Sequence, residues 1–544
     1  MPAVVWFDLS AFDAPPDLNH EVDYDDWRLV GRRQRMRSRL AAEAARQARQ
    51  AGAAVVGLPL GVAAMQFTAP EALRNVRAFS QAAHAQGLKL RVRVGAYDVS
   101  TVHAHGLPRP AEPFIPRADL LAAGADEVEP FTPARSVPSD AADPLRQKAD
   151  RVNAALRRQH LLDGQVITVL DTREDLLGPG NEWQEDSDWL TGLYCGAMSM
   201  AYRATGDEQY AAFAREAFGA LHELSTVAGV PGVVARHSRR QKPTDLGSGR
   251  KRWRQAPDGV RWWSGDTSRD QLSGHFLGLA VYHDLMADEG ERRLIREDID
   301  TIVGQIVAHH MWAFDADEQP CTHANFFVAH LQALATLQVA WHVTGKAMYR
   351  GVIMELIDPH FFLGHAVKEC ARQQDPFFQH YQQDSPIYSL LMYEQDQRLL
   401  RAYLRGLRLL YESTKANGNA YHLVQMAIFQ PETPCGAMAV HELSQFRDDH
   451  LETARWRADT EELLAQPDGE PNESVRAVLR GLLSGSTEGL DPDFLMVPCK
   501  WRPPMEFGWQ YHVNALPDTH GPFVRYSGVD YLIAFWMGRY HGVL

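Results

Sequence analysis

The stretch that decides the fold begins Trp189-Leu190-Thr191-Gly192-Leu193-Tyr194, passes through Ala201-Tyr202-Arg203-Ala204-Thr205-Gly206-Asp207, and continues from Glu208 to Ala228 before Gly229. Apolar residues recur at helical spacing on both sides of Gly206-Asp207. A glycine after one apolar run and an aspartate before the next are the stop and start signals of consecutive helices. Helix, short turn and helix make a hairpin. The same grammar recurs outward from it. Ser268 to Ala287 is followed by Glu291 to Trp312, His323 to Thr344 by Gly345 and Ala347 to Ile357, and Ser385 to Met392 by Gln395 to Ser413. Ala420 to Phe429 leads into a longer helical stretch from Met438 to Leu483, and Ser527 to Tyr540 closes the chain. Hairpins at a spacing of roughly 50–80 residues predict an array in which each buries its apolar face on its neighbours. The expected fold is mainly α, an (α/α)6 toroid.

The region before the hairpins reads differently. Val4-Val5-Trp6-Phe7 and Ala53 to Leu58 are short apolar runs with β-branched residues, and Leu88 to Val94 alternates apolar with polar. Arg32 to Ala51 and Ala69 to Gln86 are helical between them. This order predicts a small α/β N-terminal unit over residues 1–106, then a Pro-rich linker and helix over 107–160, and the toroid over 161–544.

Six polar clusters stand at the starts of apolar helical runs. They are Asp186-Ser187-Asp188-Trp189, Gly265-Asp266-Thr267-Ser268-Arg269-Asp270, Thr322-His323-Ala324-Asn325, Gln383-Asp384-Ser385-Pro386, Asn417-Gly418-Asn419-Ala420 and Tyr526-Ser527-Gly528-Val529-Asp530. In a ring of paired helices these openings would converge on one pocket.

Whole-chain properties exclude several classes. At 544 residues and 45% hydrophobic content the chain can bury sizeable cores. A formal charge of −14 argues against a nucleic-acid or anionic-membrane surface. The one basic stretch, Arg236 to Arg254, is interrupted by Pro243 and two glycines and reads as a solvated loop. Five widely spaced cysteines without a CxxC argue against a thiolate zinc site and fit a reducing compartment. Met1 to Asn19 carries acids and prolines where a signal peptide needs a basic end and an apolar run, and no stretch is apolar enough to span a membrane. The chain as written therefore reads as cytoplasmic, or as exported if a signal peptide precedes it. Nothing in it points to an oligomeric state.

Several blocks resemble the bacterial six-hairpin, (α/α)6-toroid glycosidase-like proteins. They are the opening hairpin quoted above, Gly229-Val230-Pro231-Gly232-Val233-Val234-Ala235-Arg236, Gly265 to Gln271 with Gly274-His275-Phe276, Arg502 to Gln510, and Gly528-Val529-Asp530-Tyr531-Leu532. The resemblance covers roughly residues 160–544 and implies the toroid. The group's chemistry is largely unassigned. Toroids similar to it include glycoside hydrolases, unsaturated-glucuronyl hydrolases and polysaccharide lyases.

The densest constellation runs from Trp262 and Trp263 to Asp266, Arg269 and Asp270. Two carboxylates in one opening suit a general acid and base, the requirement for glycosidic cleavage. The plainer reading is a helix cap with a surface salt bridge. Arg236, His323, Asn325, Asp384, His422 and Asp530 are expected to orient substrate, with Arg269 beside the carboxylates and Trp262, Trp263 and Trp509 as platforms. Glu506 belongs to an aromatic-acidic loop with Trp509 that either walls the pocket or packs on the rim. A lyase would need a histidine or tyrosine base and an Asn or Arg neutraliser, parts that His323, Asn325, His422 and Arg236 can fill. Any one of these histidines also fits a hydrogen-bonded core. No cofactor is expected and no metal motif appears. Asp186 and Asp188 offer oxygen ligands suited to calcium without EF-hand spacing, and His103-Ala104-His105 is a weak metal signal. No dinucleotide, P-loop or nucleophile-elbow motif occurs.

The leading expectation is a carbohydrate-active enzyme, a hydrolase or a lyase of uronic acids, acting on a small-molecule or oligosaccharide substrate. The alternative is a non-hydrolytic toroid, either an isomerase or cyclase or a ligand-binding sensor.

Overall fold

The computed structural model describes residues 4–6, 42, 45, 46, 49, 55–60, 69–94, 127–130, 143–167, 169–171, 182–183, 186–243, 245–370, 377–414, 418–431, 433–448, 452–466, 470–484, 497–502 and 524–544. Glu506, Trp509, His103, His105, Asn417 and most of Arg32 to Ala51 lie outside the described residues. Mainly helical character holds, with 16 α-helices among the described residues. The chain divides into two compact units, Met1–Ser136 with Ala427–Pro434, and Val137–Met426 with Cys435–Leu544.

The first unit holds a four-stranded parallel sheet in the order β1 (Val4–Trp6), β2 (Val55–Leu60), β3 (Lys89–Val94), β4 (Glu127–Pro130). Helix α1 (Ala69–Ala85) connects β2 to β3 and buries Val76, Phe79 and Ala83. The fourth strand falls inside the segment expected to be linker. Glu127-Val128-Glu129-Pro130 is too short and too acidic to announce itself, and pairing with β3 makes it a strand. The unit therefore runs to Ser136, beyond the expected end at residue 106.

The second unit opens with α2 (Pro144–Gln159), capped by Asp143, whose side chain accepts from Leu145 and Arg146 N–H. Strands β5 (Leu161–Leu162), β6 (Gln165–Val166), β7 (Val169–Asp171) and β8 (Glu182–Trp183) are short. Then come α3 (Ser187–Thr205) and α4 (Glu208–Thr226). Gly206 closes α3 in the left-handed conformation, and the Asp207 carboxylate accepts from Gln209 N–H to start α4. The next hairpin, α5 (Arg269–Leu285) and α6 (Glu289–Ala308), is restarted by a capping box between Asp288 and Glu291. The third is α7 (His330–Thr344) and α8 (Ala347–His360), turned by Gly345. Helix α9 (Phe362–Glu369) precedes α10 (Phe377–Tyr393) and α11 (Gln397–Thr414). Helix α12 is Ala420–Phe429. The helical stretch expected from Met438 to Leu483 consists of three helices, α13 (Cys435–Gln445), α14 (Thr453–Ala465) and α15 (Glu473–Ser484). Helix α16 (Val529–Tyr540) is last.

First-of-pair helices are buried on all sides. Every residue of α3 from Ser187 to Ala201 is buried, as is every residue of α16 from Val529 to Gly538. Second-of-pair helices such as α6 bury one stripe, as expected of outer amphipathic helices. Helix α3 packs on α5, α5 on α7 and α7 on α10, and α16 packs against α3. The α3–α5 crossing is close because glycines meet there. A Cβ on Gly192 would lie 2.0 Å from the Gly274 carbonyl oxygen, and one on Gly278 would lie 2.6 Å from that of Gly192.

The basic stretch is not a loop throughout. Strands β9 (His237–Arg239), β10 (Trp253–Gln255) and β11 (Trp262–Ser264) form an antiparallel sheet in the order β10-β11-β9. Arg236 to Arg239 are buried, which corrects the solvated-loop reading. Strands β12 (Trp312–Phe314) and β13 (Pro320–Asn325) pair antiparallel, so α7 starts at His330 rather than at His323. No helix among the described residues is long and apolar enough to cross a membrane.

Candidate functional site

The second opening is held by its neighbours. Asp266 has φ 58°, a left-handed conformation that aspartate tolerates better than most side chains. Its Oδ1 accepts from Thr322 N–H at 2.7 Å and its Oδ2 from the Thr322 hydroxyl at 3.0 Å. The Arg236 guanidinium donates to the Asp266 carbonyl at 2.8 Å and to Asp186 Oδ1 at 3.3 Å. Gln271 Nε2 donates to the same Asp186 oxygen at 3.1 Å. The first three openings are thus joined by one network. The helix cap is Ser268, not Asp266.

Arg269 donates to the Asn325 carbonyl at 2.9 Å. Burial pulls its guanidinium below the usual value, against the opposing charges of Asp270 and Glu369. Asp270 is half-buried and His323 is exposed. The Asn325 side chain accepts from Phe327 N–H at 2.9 Å.

Trp263 is 3% exposed and packs with Leu224, Val233 and Ala235, and Arg254 stacks 4.9 Å from its ring centroid. No ring face remains for a sugar, which corrects its reading as a platform. Trp262 is half-buried, with Lys242 Nζ 5.5 Å from its ring centroid.

Two buried Asp–His pairs join first-of-pair helices. Asp188 Oδ1 lies 2.6 Å from His275 Nδ1, linking α3 to α5. Asp384 Oδ1 lies 2.6 Å from His422 Nδ1, linking α10 to α12. In both, burial raises the carboxyl above the ordinary aspartate value while the adjacent imidazole opposes the rise. The pairs differ at the far nitrogen. His275 Nε2 meets the Ser225 hydroxyl at 3.0 Å, and Ser225 in turn donates to the Leu221 carbonyl. That chain ends in backbone. His422 Nε2 is buried with no hydrogen-bond partner among the described residues, and the same is true of Asp384 Oδ2.

Polar atoms collect around the second pair. Gln425 Nε2 donates to the Asp384 carbonyl at 3.2 Å, while Gln425 Oε1, Gln383 Oε1 and Asn419 Nδ2 have no partner among the described residues. Native interiors leave few such groups, and each needs an explanation. Glu442, on α13, adds an acid. A Cβ on Gly418 would lie 2.7 Å from its Cδ, so the carboxyl rests against the start of α12. Burial raises the Glu442 carboxyl above its ordinary value, against Arg502 and His441. The fourth and fifth openings thus share a buried Asp–His pair, and Glu442 lies against the start of α12.

Other assignments are structural. The Asp530 carboxylate, 1% exposed, accepts from Tyr531 N–H at 2.9 Å. Glu369, which was not singled out from the sequence, accepts from the N–H groups of His330 and Leu331 and lies 2.5 Å from His330 Nδ1. It caps α7 from the end of α9. Asp284 is flanked by His283 and His342, a cluster able to hold a metal ion. Glu442, Glu369 and this cluster are assembled from distant positions, and no local spacing in the sequence signals them. A separate groove is lined by Arg157, Asp163, Glu216, Glu223 and Arg240, and none of the expected site residues lines it.

Comparison with protein-family models, with curated proteins and with solved structures finds no match to this chain.

Proposed function

We propose that the chain is a carbohydrate-active enzyme of the (α/α)6-toroid kind that cleaves a uronic-acid-containing saccharide by β-elimination. The toroid reading is supported by the run of inner-helix contacts from α3 through α5 and α7 to α10, and by α16 returning to α3. Four of the openings stand at the N-terminus of a first-of-pair helix, whereas the third lies in β13 and the fourth falls inside α10 rather than at its start; a ring would put the four at one end. The likeness to six-hairpin glycosidase-like proteins belongs to this proposal.

One observation carries the chemistry. His422 Nδ1 is held by a buried carboxylate while His422 Nε2 has no hydrogen-bond partner among the described residues. A carboxylate at Nδ1 selects the tautomer in which Nε2 is the basic nitrogen, and it stabilises the imidazolium formed when that nitrogen takes a proton. In elimination, Nε2 removes the hydrogen on C5, next to the sugar carboxylate. The electron pair forms the C4–C5 double bond as the C4–O bond breaks. Glu442, whose carboxyl burial raises above its ordinary value, gives its proton to the departing oxygen. Asn419 Nδ2 donates to the sugar carboxylate, where charge builds as C5 loses its hydrogen. Two-carboxylate hydrolysis at Asp266 and Asp270 has less support, because both oxygens of Asp266 already accept from Thr322.

The test is incubation with saccharides of glucuronic, galacturonic, mannuronic and guluronic acid, followed by ultraviolet absorbance. Elimination gives an absorbing unsaturated end. New reducing ends without absorbance would replace this reading with hydrolysis, and binding without turnover would replace it with the sensor reading.

A further inference from the structure

Helices α5 and α7 carry a second constellation near their C-terminal ends. Asp284 is 3% exposed at its side chain and sits between two imidazoles. His283 Nδ1 lies 2.8 Å from Asp284 Oδ1, and His342 Nε2 lies 3.0 Å from Oδ1 and 2.9 Å from Oδ2. The ligating atoms of the three residues all lie within 4.8 Å of one another. Tetrahedral ligands at metal–nitrogen and metal–oxygen lengths of about 2.1 Å stand roughly 3.4 Å apart. Movements of a few tenths of an ångström would open these contacts to that spacing.

We propose that His283, Asp284 and His342 bind a divalent transition ion of the zinc class. Two neutral imidazoles and one carboxylate are a borderline-soft donor set, suited to zinc or cobalt rather than to calcium or magnesium. The ion would stand where His283 Nδ1, His342 Nε2 and an Asp284 oxygen converge, leaving one position for water. The His342 ring is fixed by stacking on Tyr393, with centroids 4.0 Å apart. Both histidines stand in the last turns of their helices, where carbonyl dipoles favour a cation.

The location assigns the ion a role. His283 is about 14 residues along α5 from Arg269, or about 21 Å of helix from the polar opening. An ion there staples neighbouring inner helices and takes no part in chemistry at the openings. The site therefore stands or falls independently of the elimination reading.

Chelator-treated protein titrated with ZnCl2 by calorimetry, and with CoCl2 by visible absorption, decides it. One ion per chain is expected, with the d–d bands of four- or five-coordinate cobalt and a thermal midpoint raised by at least about 2 °C in saturating zinc. CaCl2 should give neither effect. His342→Gln and His283→Gln should each weaken zinc binding at least about tenfold. His283, partly exposed, is the safer variant if His342→Gln folds poorly. No stoichiometric ion in the wild type, or undiminished binding in a folded variant, overturns the assignment.

Discussion

His422 Nδ1 lies 2.6 Å from Asp384 Oδ1, across a gap of 38 residues in sequence and between α10 and α12. The contact leaves one imidazole nitrogen and one carboxylate oxygen buried and without hydrogen-bond partners among the described residues. A buried acid–base pair with spare capacity is costly unless something else uses it. The pair is therefore the part of the molecule whose chemistry is most worth testing.

Asp384→Asn should lower turnover about 100- to 10,000-fold with little change in substrate affinity, because the amide cannot stabilise an imidazolium. Steady-state kinetics with binding measured separately will show it. An equal loss of affinity and turnover would move Asp384 from proton transfer to substrate binding.

Asp266→Asn should act on stability. Its carboxylate accepts two hydrogen bonds from Thr322, and an amide can accept only at its oxygen. A cost of about 1–3 kcal/mol in denaturant unfolding is expected, with kcat retained at a temperature where the variant is folded. A folded variant without activity would restore the acid/base role read from the sequence.

Glu442→Gln should separate stability from function. Burial raises the Glu442 carboxyl above its ordinary value of 4.5. Its stabilising contribution is therefore complete below pH 4.5 and is lost as pH rises through the native value. Above that window the variant should melt higher than the wild type, while elimination slows. Identical melting curves at neutral pH would contradict the buried-acid assignment.

His160 should set part of the acid limb of the stability curve. Burial lowers its imidazole from 6.5 to about 4, with the Ile167 carbonyl opposing and Arg525 adding to the drop. Its stabilising contribution is present above pH 6.5 and is lost as pH falls towards about 4. That window corresponds to about 3 kcal/mol. His160→Gln, followed by urea unfolding across it, should flatten the slope.

The hairpins were legible because their punctuation is local. Gly206-Asp207 and Gly345 stop and start helices by backbone conformation and side-chain caps, which neighbouring residues alone determine. The three-residue strands β9, β10 and β11 are too short for a periodic signal, so their basic residues read as a loop. His323 and Asn325 read as a helix start because apolar residues follow them, whereas pairing with β12 draws them into a strand. Asp266 stands out in the sequence, but its partner Thr322 is 56 positions away. Asp384 and His422 were both named from the sequence. Their pairing, and the unpartnered His422 Nε2 that distinguishes this pair from Asp188 and His275 among the described residues, exist only once the helices pack.

The most direct test is chemical rescue. His422→Gly removes the base and leaves a cavity that free imidazole can enter. On a uronic-acid saccharide that the wild type converts, the variant alone should form no unsaturated product. Added imidazole should restore its absorbance in proportion to the concentration of the neutral form. An inactive variant that is folded but not rescued, or one that still eliminates at the wild-type rate, would contradict His422 as the base.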